Sequence, residues 1–139
     1  KASFVEKKQM YLDTDIILAL IKKEDWLKKY VNLSNLENKK TSVLTILESR
    51  IVLQREYTKE ESLDVLKRLN DLKIQVIPLG EKTIEKSIEL SKKYPKLGIF
   101  DSIHAACSII VKDKIISTDS IYSEINEVNH IDPRKQFIE

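Results

Sequence analysis

Apolar residues in this chain fall into short runs that alternate with stripes at helical spacing, and that alternation predicts the elements. Met10-Tyr11-Leu12 is a brief apolar run, long enough for a buried strand, that stops on Asp13; Asp15 to Lys22 follows as an apolar segment of helical length. Glu24 to about Leu33 predicts a second helix, amphipathic through Trp26, Leu27, Tyr30 and Val31, and polar Asn35 to Lys40 predicts a loop. Thr41 to Val43 fits a very short strand, Leu44 to Glu56 a helix, and Lys59 to Lys73 an amphipathic helix with Leu63, Leu66, Leu69 and Leu72 as its buried positions. Ile74 to Ile77 predicts a buried strand closed by Pro78 and Gly80, and Glu81 to Lys93 a helix ended by Tyr94-Pro95. Ile99 to Val111 is apolar almost all round, the pattern of a helix buried in the core. Strands at Ile115 to Ser117 and Val128 to Ile131 flank a short helix from Ser120 to Ile125. Strands alternating with helices in this way predict a three-layer α/β/α sandwich around a mostly parallel sheet of four or five strands.

Four acids stand out against this pattern. Asp13 and Asp119 sit at the carboxyl ends of predicted strands, where ligands bind in open α/β sheets. Asp101 lies in the first turn of the apolar helix, where the helix dipole favours its charge. Glu48 shares a helical face with Leu44, Leu47, Ile51 and Val52, which points it inward while Arg50 and Arg55 reach solvent. A parallel sheet covered by helices brings strand ends and helix N-termini to one edge. Acids gathered there repel unless a cation sits among them, and an all-oxygen donor set selects Mg²⁺ or Mn²⁺ over zinc. Such an ion would keep several waters, bind phosphate oxygens and lower the pKa of a water, which is the chemistry of phosphodiester hydrolysis. Asp13 and Asp101 are the principal candidate ligands, with Asp119 completing or supporting the set. Glu48 is either a ligand or the group that holds the attacking water. Thr14, Asp15 and Thr118 are candidates for supporting roles.

Composition narrows the class. The chain has 139 residues, enough for one domain, assigned here to 10–139; residues 1–9 are a native extension or added sequence, and Met10 is a plausible natural start. Lys+Arg 24 against Asp+Glu 22 gives a net charge of +2, too balanced to argue for nucleic acid by itself. One cysteine, Cys107, excludes an internal disulfide and fits a reducing cytosol. No apolar run reaches the roughly 18–20 residues of a membrane span. No internal repeat or low-complexity tract is present.

With these residues in place, the chain resembles a PIN domain, and within that family the VapC-type toxins of bacterial and archaeal toxin–antitoxin pairs. The resemblance runs through Leu12-Asp13-Thr14-Asp15, then Thr41-Ser42-Val43 leading to Glu48. It continues through Leu97-Gly98-Ile99-Phe100-Asp101-Ser102-Ile103-His104-Ala105-Ala106 and Ser117-Thr118-Asp119 to Ile131-Asp132-Pro133. It implies that Asp13, Glu48, Asp101 and Asp119 are an acidic quartet binding Mg²⁺ or Mn²⁺. It further implies a ribonuclease, dimeric as many of the family are, silenced by a VapB-like antitoxin. Asp15 departs from the family, which more often has Asn there; the change adds a charge. His104, three residues after Asp101, falls on the same helix face and lines the edge of the site.

Plainer readings stand beside each of these. Asp13, Asp15 and Asp101 could each cap a helix, Asp119 could start a turn, and Glu48 could be a buried acid paired to Lys or Arg. His104 and Cys107 are spaced i, i+3, but no second pair exists to complete a zinc site. Trp26 and Tyr30 read as core or groove lining rather than base-stacking platforms. The lysine pairs at 22–23, 28–29, 39–40 and 92–93 read as solvated surface, some of it available to RNA phosphates. Asp13-Thr14-Asp15 also resembles the motif of haloacid-dehalogenase-like phosphotransferases, although that motif wants Thr or Val where this chain has Ile17. A PIN nuclease of RNA maturation or quality control, working without an antitoxin, would carry the same acids. A catalytically silent binding module would have no reason to keep them.

Overall fold

A computed structural model describes residues 9–22, 25–31 and 37–135. Five strands form one all-parallel sheet: β1 (Gln9–Leu12), β2 (Glu37–Ser42), β3 (Gln75–Ile77), β4 (Lys114–Ile116) and β5 (His130–Ile131), in the order β3-β2-β1-β4-β5. The helices are α1 (Thr14–Ile21), α2 (Val43–Glu56), α3 (Lys59–Leu63), α4 (Val65–Asp71), α5 (Glu81–Lys93) and α6 (Ile99–Val111), with 3₁₀ turns at Trp26–Tyr30 and Ser120–Glu124.

Central β1 sets the layers. Its side chains alternate, so Met10 and Leu12 join a core with Ile16, Ile17, Leu53, Val65 and Leu69 on one face, while Tyr11 joins Leu90, Ala105, Ala106 and Tyr122 on the other. Ile116 and Ile115 of β4 divide between the two cores in the same way. The chain builds outward from β1 through β2 to β3, then returns to the opposite side of β1 for β4 and β5. The gap between the carboxyl ends of β1 and β4 is therefore the topological switch point of the sheet. Asp13 ends one of these strands and Ser117-Thr118-Asp119 follows the other.

Six expectations need correction. Glu37 to Lys40 is strand rather than loop, because its backbone completes ladders to β1 and β3. Lys40 finds a partner in the buried Asp113 at 2.9 Å. Val43 begins α2 instead of ending β2. The second helix is only the 3₁₀ turn Trp26–Tyr30; Asp25 caps it by accepting from Leu27 N at 2.9 Å, and Glu24 and Asn32 to Leu36 lie outside the described residues. Of that stretch Leu27 is buried, whereas Trp26 and Tyr30 are exposed. The 59–73 helix breaks at Asp64, which turns Ser62, Val65 and Leu69 inward and leaves Leu63 and Leu66 in solvent. On α2 the buried face is Leu44, Thr45, Ser49 and Leu53, so Leu47 and Ile51 point outward. Finally, α6 is not buried all round: Ile99, Phe100 and Ile110 are exposed, while residues 104–108 are covered.

Arg68 ties the α3–α4 break to the first layer, donating to the Ile21 carbonyl at the end of α1 at 2.6 Å and to Glu61 at 2.8 Å. Arg68→Met is expected to lower the unfolding free energy by about 1 kcal/mol, read from urea denaturation with an unchanged slope.

Candidate functional site

The switch-point crevice is built from polar groups that β1, β4, α1, α2 and α6 bring together. Asp13 leaves β1 in extended conformation and caps α1, its Oδ1 accepting from Thr14 N at 2.8 Å. Its backbone N–H donates to the Ile116 carbonyl, and its Oδ2 accepts from Ser117 Oγ at 2.7 Å, so β4 fixes it from the other side. Thr14 Oγ1 donates to Glu48 Oε1 at 2.8 Å. That carboxylate oxygen also lies 2.5 Å from His104 Nε2, which is 3.5 Å from Asp13 Oδ1.

His104 is therefore the hub of the site rather than its edge. It is 2% exposed, and its Nδ1 lies 2.7 Å from the Tyr11 hydroxyl, which donates to Ser42 Oγ at 2.8 Å. The pattern closes when both ring nitrogens carry protons: Nδ1–H donates to the Tyr11 oxygen and Nε2–H to Glu48. Burial pushes the His104 pKa down, but the bond to Glu48 and the charges of Asp13, Glu48 and Asp101 together raise it. Glu48 reaches this pair from the border of the buried face of α2, partly shielded from solvent.

Asp15 takes a different part. Its Oδ1 accepts from Ile16 N, and its Oδ2 accepts from Thr118 N at 2.9 Å and Thr118 Oγ1 at 2.6 Å, clamping the start of α1 to the end of β4. Burial first, and then the charge of Asp13, push its pKa up to about 6. Asp101 occupies the first turn of α6, half-buried, and its pKa is raised by burial and by Asp119 nearby, against the pull of His104. Asp119 is exposed and caps the 3₁₀ turn after β4, accepting from Ile121 N at 3.0 Å. The buried Tyr122 hydroxyl makes no close hydrogen bond among the described residues but points near enough to Asp101 to hold that acid's pKa down somewhat; burial first, and then the charges of Asp13, Asp101 and Asp119, push the Tyr122 pKa up.

Asp13 and Glu48 thus meet at His104, Asp15 lies within the influence of Asp13, and Asp101 and Asp119 act on the same region through their charges. Among the described residues no three His, Cys, Asp or Glu side chains are gathered into a ready ligand cage. The donor set nonetheless fits a small hard cation. Its oxygens are all carboxylate, and burial pushes Asp13, Asp15 and Asp101 toward the neutral form, a cost that a cation would relieve. An ion held by one or two carboxylates and several waters, as Mg²⁺ commonly is, needs no closer cage.

Sequence reading gave no role to Tyr11, Ser42, Ser117 or Tyr122. The first sits inside an apolar run and the others look like ordinary strand-end or helix residues, so only their convergence marks them. Cys107 is buried beside Tyr11 and Ser42, and among the described residues it belongs to no cluster of three His, Cys, Asp or Glu side chains.

A PIN domain family model matches residues 10–128. The chain belongs to the PIN-domain family. No curated protein matches it in sequence. Among solved structures it is similar to the DNA-bound VapBC from Salmonella typhimurium, with a TM-score of 0.72 at 17% identity over 91% of this chain and 98% of that one. A toxin–antitoxin complex from Klebsiella pneumoniae gives 0.70 at 17% over 90% and 98%. VapC20 of Mycobacterium tuberculosis, a toxin that cleaves the sarcin–ricin loop, gives 0.70 at 13% over 86% and 98%. At these identities the likeness shows the fold, which is that of the VapC toxins.

Proposed function

We propose that this PIN domain is a Mg²⁺- or Mn²⁺-dependent endoribonuclease, the toxin of a VapBC-type pair. The observation that supports the reading is His104 reaching both Asp13 and Glu48 at the switch point of a VapC-like fold, with Asp101 near enough to feel Glu48, His104 and Asp119 electrostatically. Asp13 and Asp101 would hold the cation, with Asp119 supporting it through water. When bound, the ion supplies polarisation of a phosphoryl oxygen and a more acidic water. Glu48, held between Thr14 Oγ1 and His104 Nε2, would orient the attacking water. Ser117 fixes Asp13, and the Asp15–Thr118 clamp holds the two strand ends at their spacing. The partners that follow from this reading are an RNA substrate, a VapB-like antitoxin and a second copy of the chain, in the cytoplasm. Solved relatives described as toxin–antitoxin complexes support the antitoxin. Among the described residues no helix is long and apolar enough to cross a membrane.

The test is cleavage of end-labelled single-stranded and structured RNAs in Mn²⁺ or Mg²⁺. Cleavage that disappears in EDTA and returns with either ion is the expected result. Cutting that persists in EDTA, or no cutting of any RNA with either ion, overturns the nuclease. Growth arrest on expression, relieved by Asp101→Asn, is expected of a toxin; expression without any effect on growth removes that part of the proposal.

A further inference from the structure

Trp26 is the chain's one tryptophan and it is 62% exposed, opposite to the inward position its helical pattern suggested. Tyr30 meets its ring edge-on at 6.4 Å and an interplanar angle of 72°. The Arg134 guanidinium lies 5.8 Å from the Trp26 ring centre, and the Lys29 ammonium 5.1 Å from that of Tyr30. Lys28 and Lys135 are exposed close by in the chain. Aromatic faces and cations are therefore interleaved on one surface.

That surface is held in place. Asp25 caps its 3₁₀ turn and buried Leu27 anchors it. Arg134 is fixed by Asp132, to which it donates from Nε at 3.1 Å and Nη2 at 2.7 Å, and Nη2 also donates to the Thr118 carbonyl at 2.9 Å. Thr118 is the residue that binds Asp15, and Asp15 feels the charge of Asp13. The Trp26–Arg134 contact, followed by hydrogen bonds from Arg134 to Thr118 and from Thr118 to Asp15, thus links the aromatic pair to the start of α1 beside Asp13.

We infer that the Trp26–Tyr30 surface is a stacking platform for a single-stranded nucleic acid whose backbone continues toward the Asp13 end of the sheet. A base lies on the exposed face of Trp26, and Lys29 and Lys135 supply charge to the backbone phosphates, while Lys28 donates to the Lys22 carbonyl at 3.0 Å. Alternating ring and cation match the alternating base and phosphate of a strand. A protein helix would instead ask for a continuous apolar stripe, which the flanking cations interrupt. The inference rests on the nuclease reading for the strand being RNA.

The single tryptophan makes the test direct. Asp101→Asn protein, titrated with a mixed-sequence single-stranded RNA oligonucleotide, is expected to show saturable quenching of intrinsic fluorescence that weakens with salt. Anisotropy of a labelled strand should show Trp26→Ala binding roughly five- to a hundredfold more weakly, the range of one base–aromatic stack, with Trp26→Phe restoring most of it. In the active protein the Trp26→Ala loss should fall on KM rather than kcat. Unchanged fluorescence with unchanged Trp26→Ala affinity, equal quenching by duplex RNA, or a signal that follows protein concentration without RNA each overturns the platform; the last assigns the surface to a second copy of the chain. Cleavage without quenching refutes the platform alone, and quenching without cleavage refutes the nuclease alone. Trp26 is largely outside the core, and matching thermal midpoints verify that its variants fold.

Discussion

Asp13→Asn is expected to lower metal-dependent RNA cleavage by at least about 10²–10³-fold while making the metal-free protein more stable. The two effects have one cause. Burial pushes the Asp13 pKa up, and Glu48 pushes it the same way, against the attraction of His104 and the bonds from Ser117 and Thr14. In the absence of a cation, its charge is therefore a strain on the fold. Asparagine keeps an oxygen to cap Thr14 N, and its amide can donate to Ser117 Oγ once that hydroxyl turns, so the local bonds survive. What disappears is a buried charge beside Asp15 and Glu48, together with one anionic oxygen for the cation. A gain of about 1 kcal/mol, a few degrees in midpoint, is the expected scale. Asp101→Asn, at a half-buried position, should lose cleavage with little change in stability. Cleavage at wild-type rate in either variant, or an Asp13→Asn protein that melts earlier, would contradict the assignment.

Stability of the metal-free protein is expected to fall as pH rises from 4 to 8, the reverse of a protein held together by salt-bridged acids. Asp15 titrates near 3.8 unfolded and at about 6 folded, and Asp13 and Asp101 shift in the same direction. The folded state binds these protons more tightly, so the stability they contribute is complete below about pH 4 and lost as pH climbs through about 6. For Asp15 the gap corresponds to about 3 kcal/mol. His104 adds to the slope, since its raised pKa contributes stability below 6.5 that is lost above its folded value. Asp132, held below the usual carboxylate range by Arg134, works the other way, its contribution fading only as pH falls toward its folded value. Thermal midpoints across this range should decline, Asp15→Asn should flatten the segment between pH 4 and 6, and Mn²⁺ should raise the midpoint most at pH 7–8, where it replaces the missing protons. A midpoint that climbs steadily from pH 4 to 7 without metal would refute the cluster's strained state.

Much of the frame was legible along the chain. The helices at Glu81–Lys93 and Ile99–Val111 fall where their apolar spacing places them, because each has a clean stop: Tyr94-Pro95 after the first and Lys112 in the left-handed region after the second. The β1–Asp13–α1 passage was equally plain, since an apolar run ending on a capping acid has few other solutions. Errors came where tertiary partners outweighed local pattern. Lys39 and Lys40 look like loop, yet they sit in β2, where the ladders on both sides satisfy the backbone and Asp113 takes the Lys40 ammonium. The leucines at 63 and 66 looked buried because a spacing of three imitates a helix face, and the break at Asp64 rotated that face by one position.

The order of residues by itself determined the alternating strands and helices, the two strand-end acids and the acid opening α6. Periodicity and capping are local, so they survive without knowledge of the fold. Only the tertiary structure decided that β4 would lie beside β1, and hence that Ser117 and Thr118 would grip Asp13 and Asp15 across more than a hundred residues. It alone put His104 between Tyr11 and Glu48, and it alone left Trp26 in solvent against Arg134. Strand order and long-range pairing depend on how the layers pack together, and no window of sequence contains that sum.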